Sequence, residues 1–415
     1  MESVKSNFYN KSVTLLTVIL LSTIFLKLLS TPVVCVLMGV IIFLCLLMNK
    51  SGLNDKSSIG IIIFIFIALL YQSMGNGESF NNYLIKSLYF MTGLLLTYNL
   101  DELTRTQHRF LLYVLLFLLT FSIIMTLLIL LTDPMAVRYY GYGVKDTDIP
   151  IYSLFGMYSY GVGETFAFMM PSLLCFSLGI RNVFLKYLMF VIVALGIITQ
   201  FMATLTTSFF LSLGASVLVL FFFLFLKRVM LREKIILVLL VSSLFIYFIP
   251  KLNDFENTLF TAKMEDIQTS MDSGQSSGQL MARSDLYMQS IKAFLSNPIL
   301  GFGNIATQEN FDEARLVSMH TTIFDYLGLY GILALFLFMP WKNVLCVSLC
   351  ILPQQIRRIY KISLFALFIL LLLKGPVSIG VNFFFSTYLL TLLYYNEYYR
   401  IQDVEFYEDE EYYEE

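Results

Sequence analysis

Charge is what this chain of 415 residues has least of. Asp, Glu, Lys and Arg together make 13% of it, against 58% hydrophobic residues. A soluble domain cannot cover its surface with so few charges, so a water-soluble globule is excluded. The net charge of -2 is uninformative, and no basic stripe points to nucleic acid. Nothing alternates at period two, which excludes a membrane β-barrel. HExxH is absent, and no His, Cys or acid cluster has metal-ligand spacing, so neither a metal nor another cofactor is expected. Gly301-Phe302-Gly303 is too short for a nucleotide fingerprint, and no strand precedes it. The five cysteines (Cys35, Cys45, Cys175, Cys346, Cys350) all fall inside apolar runs, where they are expected as small buried side chains.

What the chain has is apolar runs, each of about 20 residues and long enough to cross a hydrocarbon core of roughly 30 Å. There every backbone polar group must be satisfied locally, so the expected fold is all-α. The pattern predicts about twelve membrane helices, near 12–30, 32–48, 58–74, 84–100, 110–132, 166–180, 183–203, 206–226, 235–250, 320–347, 360–374 and 381–396. The first is expected as a retained helix, because no small-residue cleavage site follows it. With the N-terminus inside, the inner segments hold 17 of the 27 Lys and Arg, while the short outer turns hold none. This bias puts both termini in the cytoplasm.

The chain thus divides into nine helices over 1–250 with an outer loop at 133–165, a large outer loop at 251–319, three helices over 320–396 and an acidic tail at 397–415. The tail is expected to be disordered unless bound. Within the large loop, the Ser/Gly-rich stretch 269–278 reads as a tether or lid. From Gln279 to Ser296, apolar residues at Leu280, Leu286, Tyr287, Ile291, Phe294 and Leu295 form a helical stripe, with Arg283, Ser290 and Lys292 off it. Asn297-Pro298 ends that helix.

Long outer loops of this composition are usually functional. Their cations escape the orientation rule, so Arg138, Lys145, Arg283 and Arg315 need another reason to be there. An anionic ligand at the outer face is one. His320 stands where the outer loop meets the next helix. Its unperturbed pKa near 6.5 suits proton abstraction at neutral pH. Guanidinium forks on the same loop, at Arg283 and Arg315, match phosphate oxygens bidentately. Together they suit a lipid-linked phosphate or pyrophosphate with an acceptor hydroxyl beside it. Among the scattered outer acids, Glu164 and Asp325 sit near helix ends and are secondary candidates. His108, among inner charges, reads as solvated surface.

These residues resemble the O-antigen polymerase and O-antigen ligase superfamily. Arg283, with Tyr287 four residues on, opens a helix that runs into Asn297-Pro298-Ile299-Leu300-Gly301-Phe302-Gly303. His320 leads a helix with Gly328 and, eleven residues on, Gly331. A large outer loop late in the chain agrees with the family. Two features depart from it. Thr321 follows the histidine, where the family often has Asn or Ser. The stretch Thr207-Ser208-Phe209 lacks an arginine that many ligases carry. The second departure favours polymerase over ligase and leaves Arg138 or Lys145 to serve the pyrophosphate.

The resemblance implies a GT-C-like glycosyltransferase in the bacterial inner membrane, with a periplasmic active site and no metal or cofactor. Its donor would be an oligosaccharide on undecaprenyl pyrophosphate, with His320 and Arg283 catalytic. Arg315, Arg138 and Lys145 would bind pyrophosphate or glycan. Membrane lipid and a chain-length regulator are the expected partners, and no nucleic acid. A ligase acting on the lipid A core is the alternative reading, and a lipid-linked oligosaccharide flippase is the rival from another class. A flippase predicts charged residues in mid-helix.

Overall fold

In the computed structural model, the described residues are 2–26, 28–48, 80–132, 160–180, 182–203, 205–224, 278–301, 320–375 and 379–411, with a few single positions between them. Within them run α1 (Glu2–Leu26), α2 (Thr31–Met48), α3 (Phe80–Tyr98), α4 (Arg105–Thr132), α5 (Tyr160–Leu178), α6 (Val183–Met202) and α7 (Thr206–Leu224). Then come α8 (Gly278–Ser296), α9 (Thr322–Tyr330), α10 (Leu335–Cys350), α11 (Gln354–Leu373), α12 (Ile379–Phe384) and α13 (Leu390–Glu411). Five of these helices are long and apolar enough to cross a membrane, and three shorter apolar stretches lie at 84–98, 162–178 and 322–338. The expected helices at 58–74 and 235–250 fall outside the described residues, apart from single positions, as does the stretch 269–277.

Two helical segments form the centre. One is α5, packed by α6, α7 and α11. The other is the column from Ile379 to Tyr394, in which every side chain but Val381 is buried. A helix buried all round must be apolar all round, and this one carries no charge before Glu397. It approaches α3 closely at Gly93, where an added Cβ would stand 2.8 Å from Thr387 Oγ1 and 3.0 Å from Phe384 Cα. Small residues permit such approaches between apolar helices, where dispersion and close packing supply the attraction. Trp341 Nε1 on α10 donates to Ser386 Oγ at 2.6 Å, which ties the third wall to the same column. A π-turn at Phe385–Leu389 interrupts the column.

Several expectations are corrected. The predicted helix 320–347 is two helices broken by a 3-10 turn at Gly331–Ala334. The break follows from Gly331, whose φ of 60° ends α9. The acidic tail continues α13 as helix to Glu411, and no Gly or Pro after residue 396 is there to stop it. His108 is not solvated. It lies buried in the first turn of α4, with Nε2 2.9 Å from the Leu100 carbonyl and its ring against Tyr395 and Tyr399. Of the cysteines, Cys45 and Cys175 are buried as expected, Cys35 is half-buried and Cys350, at the end of α10, is exposed.

The element that positions the site is a lock between two turns. After α8, Asn297 Nδ2 donates to the Gly301 carbonyl at 2.7 Å, and Gly301 N–H returns to Asn297 O at 2.8 Å. Gly301 takes a φ of 71°, and its missing Cβ would lie 2.4 Å from the Leu329 carbonyl. The missing Cβ of Gly331 would lie 2.4 Å from Ile299 O and 2.7 Å from Pro298 O. Pro298 O in turn accepts from Ile332 N at 2.7 Å. Each turn thus occupies the space that a side chain on the other would need.

Gly331→Ala or Gly301→Ala should therefore lower the melting temperature of the purified protein by several degrees. The left-handed backbone alone costs a residue with a Cβ about 1–2 kcal/mol, before the clash. Gly39→Ala and Gly214→Ala, where a Cβ meets nothing within 4 Å, should be neutral or stabilising in the same thermal melt.

Candidate functional site

The site assembles at one end of the helices, around the start of α9. Thr321 is the N-cap of α9, its hydroxyl accepting from Phe324 N at 3.0 Å. Its own N–H is taken by Asp325 Oδ2 at 2.6 Å. This reciprocal capping satisfies two donors that a helix start leaves orphaned. The other oxygen of Asp325 accepts the Ser290 hydroxyl from α8. Asp325, wholly buried, therefore fastens the first turn of α9 to α8. His320 is the residue immediately outside this cap, and it is exposed.

Helix α8 meets α9 through small residues. Ser290 and Ala293 are buried against Gly328, where an added Cβ would stand 3.2 Å from Ser290 O and 3.5 Å from Ala293 Cβ. This corrects the expected apolar stripe: Ser290 is on the packed face, whereas Leu295 is exposed. Close packing selects small side chains here over large ones.

The face of α8 that carries Ser290 also carries Tyr287, and helical periodicity puts position 283 on the same face one further turn along. By rise per residue, 283 lies about 10 Å up the axis from Ser290. The side chain of Arg283 lies outside the described residues, as do Arg315, Arg138 and Lys145.

Two hydroxyls from these elements reach the end of α11. Tyr287 donates to Leu373 O at 3.3 Å, and Thr322 donates to Lys374 O at 2.7 Å. Both acceptors belong to the last turn of a helix, where carbonyls lack intrahelical partners. Lys374 then points to α5, with Nζ 3.1 Å from Glu164 Oε1. Glu164 is nearly buried, and Lys374 keeps some exposure, at 12% of its side chain. Close by, Ser212 of α7 donates to Phe166 O of α5 at 2.9 Å, so the start of α7 shares this end. Thr207-Ser208-Phe209 lies there without an arginine, and Ser208 is buried.

The arrangement thus brings together His320, Asp325, Ser290, Tyr287, Thr322, Lys374 and Glu164, from four helices and their flanks. Of the secondary candidates, Asp325 is a positioning group and Glu164 an ion-pair partner. Lys374 is the residue that sequence reasoning misses. Its signal is a lysine closing an otherwise apolar run, Leu370-Leu371-Leu372-Leu373-Lys374, at the end of the helices that otherwise shows least positive charge. Among the described residues, no three His, Cys, Asp or Glu side chains cluster in a way that could hold a metal ion.

The Lys374–Glu164 pair should show coupling in a double-mutant cycle read by thermal or denaturant unfolding. Lys374→Met leaves a nearly buried carboxylate without this cation, and breaking a buried pair one-sidedly costs about 3–5 kcal/mol. Lys374→Met with Glu164→Gln should be less destabilised than Lys374→Met alone.

No curated protein matches the chain. Residues 192–339 match the family model described as O-antigen ligase, 148 of the 415 residues. The matched stretch contains position 283, the motif Asn297–Gly303, His320, Gly328 and Gly331, and with them the lock and the cap. Over this stretch the chain is similar to the O-antigen polymerase and ligase superfamily, a group of glycosyltransferase-like enzymes, and five of its described helices are long and apolar enough to cross a membrane.

Proposed function

We propose that this protein is a polysaccharide repeat-unit polymerase of the bacterial inner membrane. It moves a growing glycan from undecaprenyl pyrophosphate onto a lipid-linked repeat unit, at the periplasmic end of its helices. The observation that supports this reading is the lock: it holds the exposed His320 just before the cap of α9, where α8, α9, α11 and α5 come together, and Thr322, two residues on, donates to the carbonyl of Lys374, whose amine pairs with Glu164.

In the reaction, the acceptor sugar hydroxyl attacks the anomeric carbon of the donor. The bond from that carbon to the pyrophosphate oxygen breaks, and undecaprenyl pyrophosphate leaves. His320 takes the proton from the attacking hydroxyl, or orients that hydroxyl. Arg283 meets the charge that develops on the pyrophosphate, and one donor aimed in this way is worth roughly 3 kcal/mol. Lys374 adds a second cation and takes the place of the arginine missing at Thr207-Ser208-Phe209, ahead of Arg315, Arg138 and Lys145. Asp325 and Ser290 act indirectly, by holding the peptide to which His320 is attached. No metal is needed for any of these steps.

The ligase reading, transfer to the lipid A core, is the alternative, and the matched family covers both activities without separating them. The absent arginine favours the polymerase. A flippase fits less well: among the described residues the buried acids Glu164, Asp325 and Glu397 lie near the ends of the apolar spans rather than at their middles.

A surface-glycan gel from cells lacking the protein, with variants returned on plasmids, tests the proposal. For a polymerase, the null strain carries core with a single repeat unit and wild type restores the ladder. His320→Ala and Arg283→Ala, present in the membrane at wild-type level, should each lose it, consistent with rate losses of about 10²–10³. Bare core with accumulating lipid-linked polymer in the null strain would identify a ligase. A full ladder from His320→Ala would remove the histidine from the mechanism.

A further inference from the structure

At the end of the helices opposite His320, α4, α5, α6 and α13 leave a crevice of about 180 Å³. Its wall is apolar, with Leu116, Phe176 and Leu185 among the lining side chains. Its polar edge is Arg109, Arg400 and Asn396. Arg109 is exposed and directly precedes the apolar run of α4, which begins at Phe110. The guanidinium of Arg400 is held in place by Glu397 and by the Phe176 carbonyl at 3.3 Å, and it lies against Gly179. Outward from the crevice, Phe110, Tyr113, Val183 and Phe184 are exposed, as befits surface in contact with acyl chains.

We propose that this crevice is a binding site for one anionic phospholipid. The phosphate meets Arg109 and Arg400 at the boundary between apolar span and polar helix end, and an acyl chain lies along Leu116, Phe176 and Leu185. Charge selects the class of lipid. Two arginines at its polar edge complement the phosphate of a phosphatidylglycerol headgroup, whereas the ammonium of a zwitterionic headgroup is repelled by them. Basic pockets between membrane helices recognise anionic headgroups on this principle. Free phosphate would engage only the edge and leave the apolar wall uncovered, so the lipid is the favoured occupant. The site is far from the transfer chemistry and does not depend on it.

Native mass spectrometry of the detergent-solubilised full chain, titrated with dioleoyl phosphatidylglycerol and dioleoyl phosphatidylethanolamine, tests the proposal. Wild type should retain one phosphatidylglycerol about fivefold better than phosphatidylethanolamine, the order expected for one basic residue near a headgroup. Arg109→Gln should bring the two lipids level. Leu185→Trp, which fills the crevice and keeps both arginines, should lose the bound lipid, with a melting temperature close to wild type in both variants. Equal retention of the two lipids by wild type would overturn the proposal, as would phosphatidylglycerol retention unchanged by both variants. Displacement of the lipid by millimolar inorganic phosphate would show an anion site without a lipid site, and would overturn it too.

Discussion

Two glycines with positive φ, Gly301 and Gly331, hold the site in place. Each sits where the other turn's backbone comes within 2.4 Å of a missing Cβ. Neither turn has its shape alone. The Asn297–Gly301 turn closes on itself by two hydrogen bonds, but its direction is fixed by the break after α9, and that break is filled by Ile299 and Pro298. Once the two are interlocked, α8 and α9 pack through Ser290, Ala293 and Gly328. Asp325 can then reach Ser290 from the first turn of α9, and His320 is left just outside.

Hydrogen bonds to orphaned backbone groups do the same work on a wider scale. The start of α9 is capped by Thr321 and Asp325, and the end of α11 by Tyr287 and Thr322. At the other end, Arg357 donates to the Cys350 and Leu352 carbonyls at 3.0 and 2.9 Å, and Arg105 donates to Tyr399 O at 3.2 Å. In a chain with so few polar side chains, those near helix ends are concentrated on the groups that the helices cannot satisfy themselves.

Much of this was legible in the sequence. Runs of apolar residues announced helices, because length and hydropathy alone decide whether a segment suits a bilayer. The Asn-Pro stop after α8 and the turn at Gly301 were readable, and His320 as a residue at a helix start. What was not legible depended on which surfaces meet. Ser290 looked like a polar residue off the stripe, and only its contact with Asp325 shows it packed. His108 looked solvated because its neighbours in sequence are charged, whereas its neighbours in space are Tyr395 and Tyr399, almost 300 residues away. Lys374 looked like the end of a helix, and its meaning comes from Glu164 across the bundle. The kink at Gly331 was hidden because a glycine inside an apolar run reads equally as close packing or as a break.

The uncharged column between the two ends carries one more consequence. From Ile379 to Asn396 it has 18 residues, about 27 Å of helix at the ordinary rise, and every side chain but those of Val381 and Tyr395 is buried. A helix at the bilayer boundary can tilt to suit the lipid, but an enclosed one cannot tilt independently of its neighbours. The spacing between the ionic groups at its two ends, Lys374–Glu164 and Arg400–Glu397, is therefore set by the protein. The surrounding bilayer has to match that hydrophobic thickness by thinning or thickening, at a cost of fractions of a kcal/mol per Å. The column acts as a ruler, and it makes acyl chain length a variable to which this protein should respond.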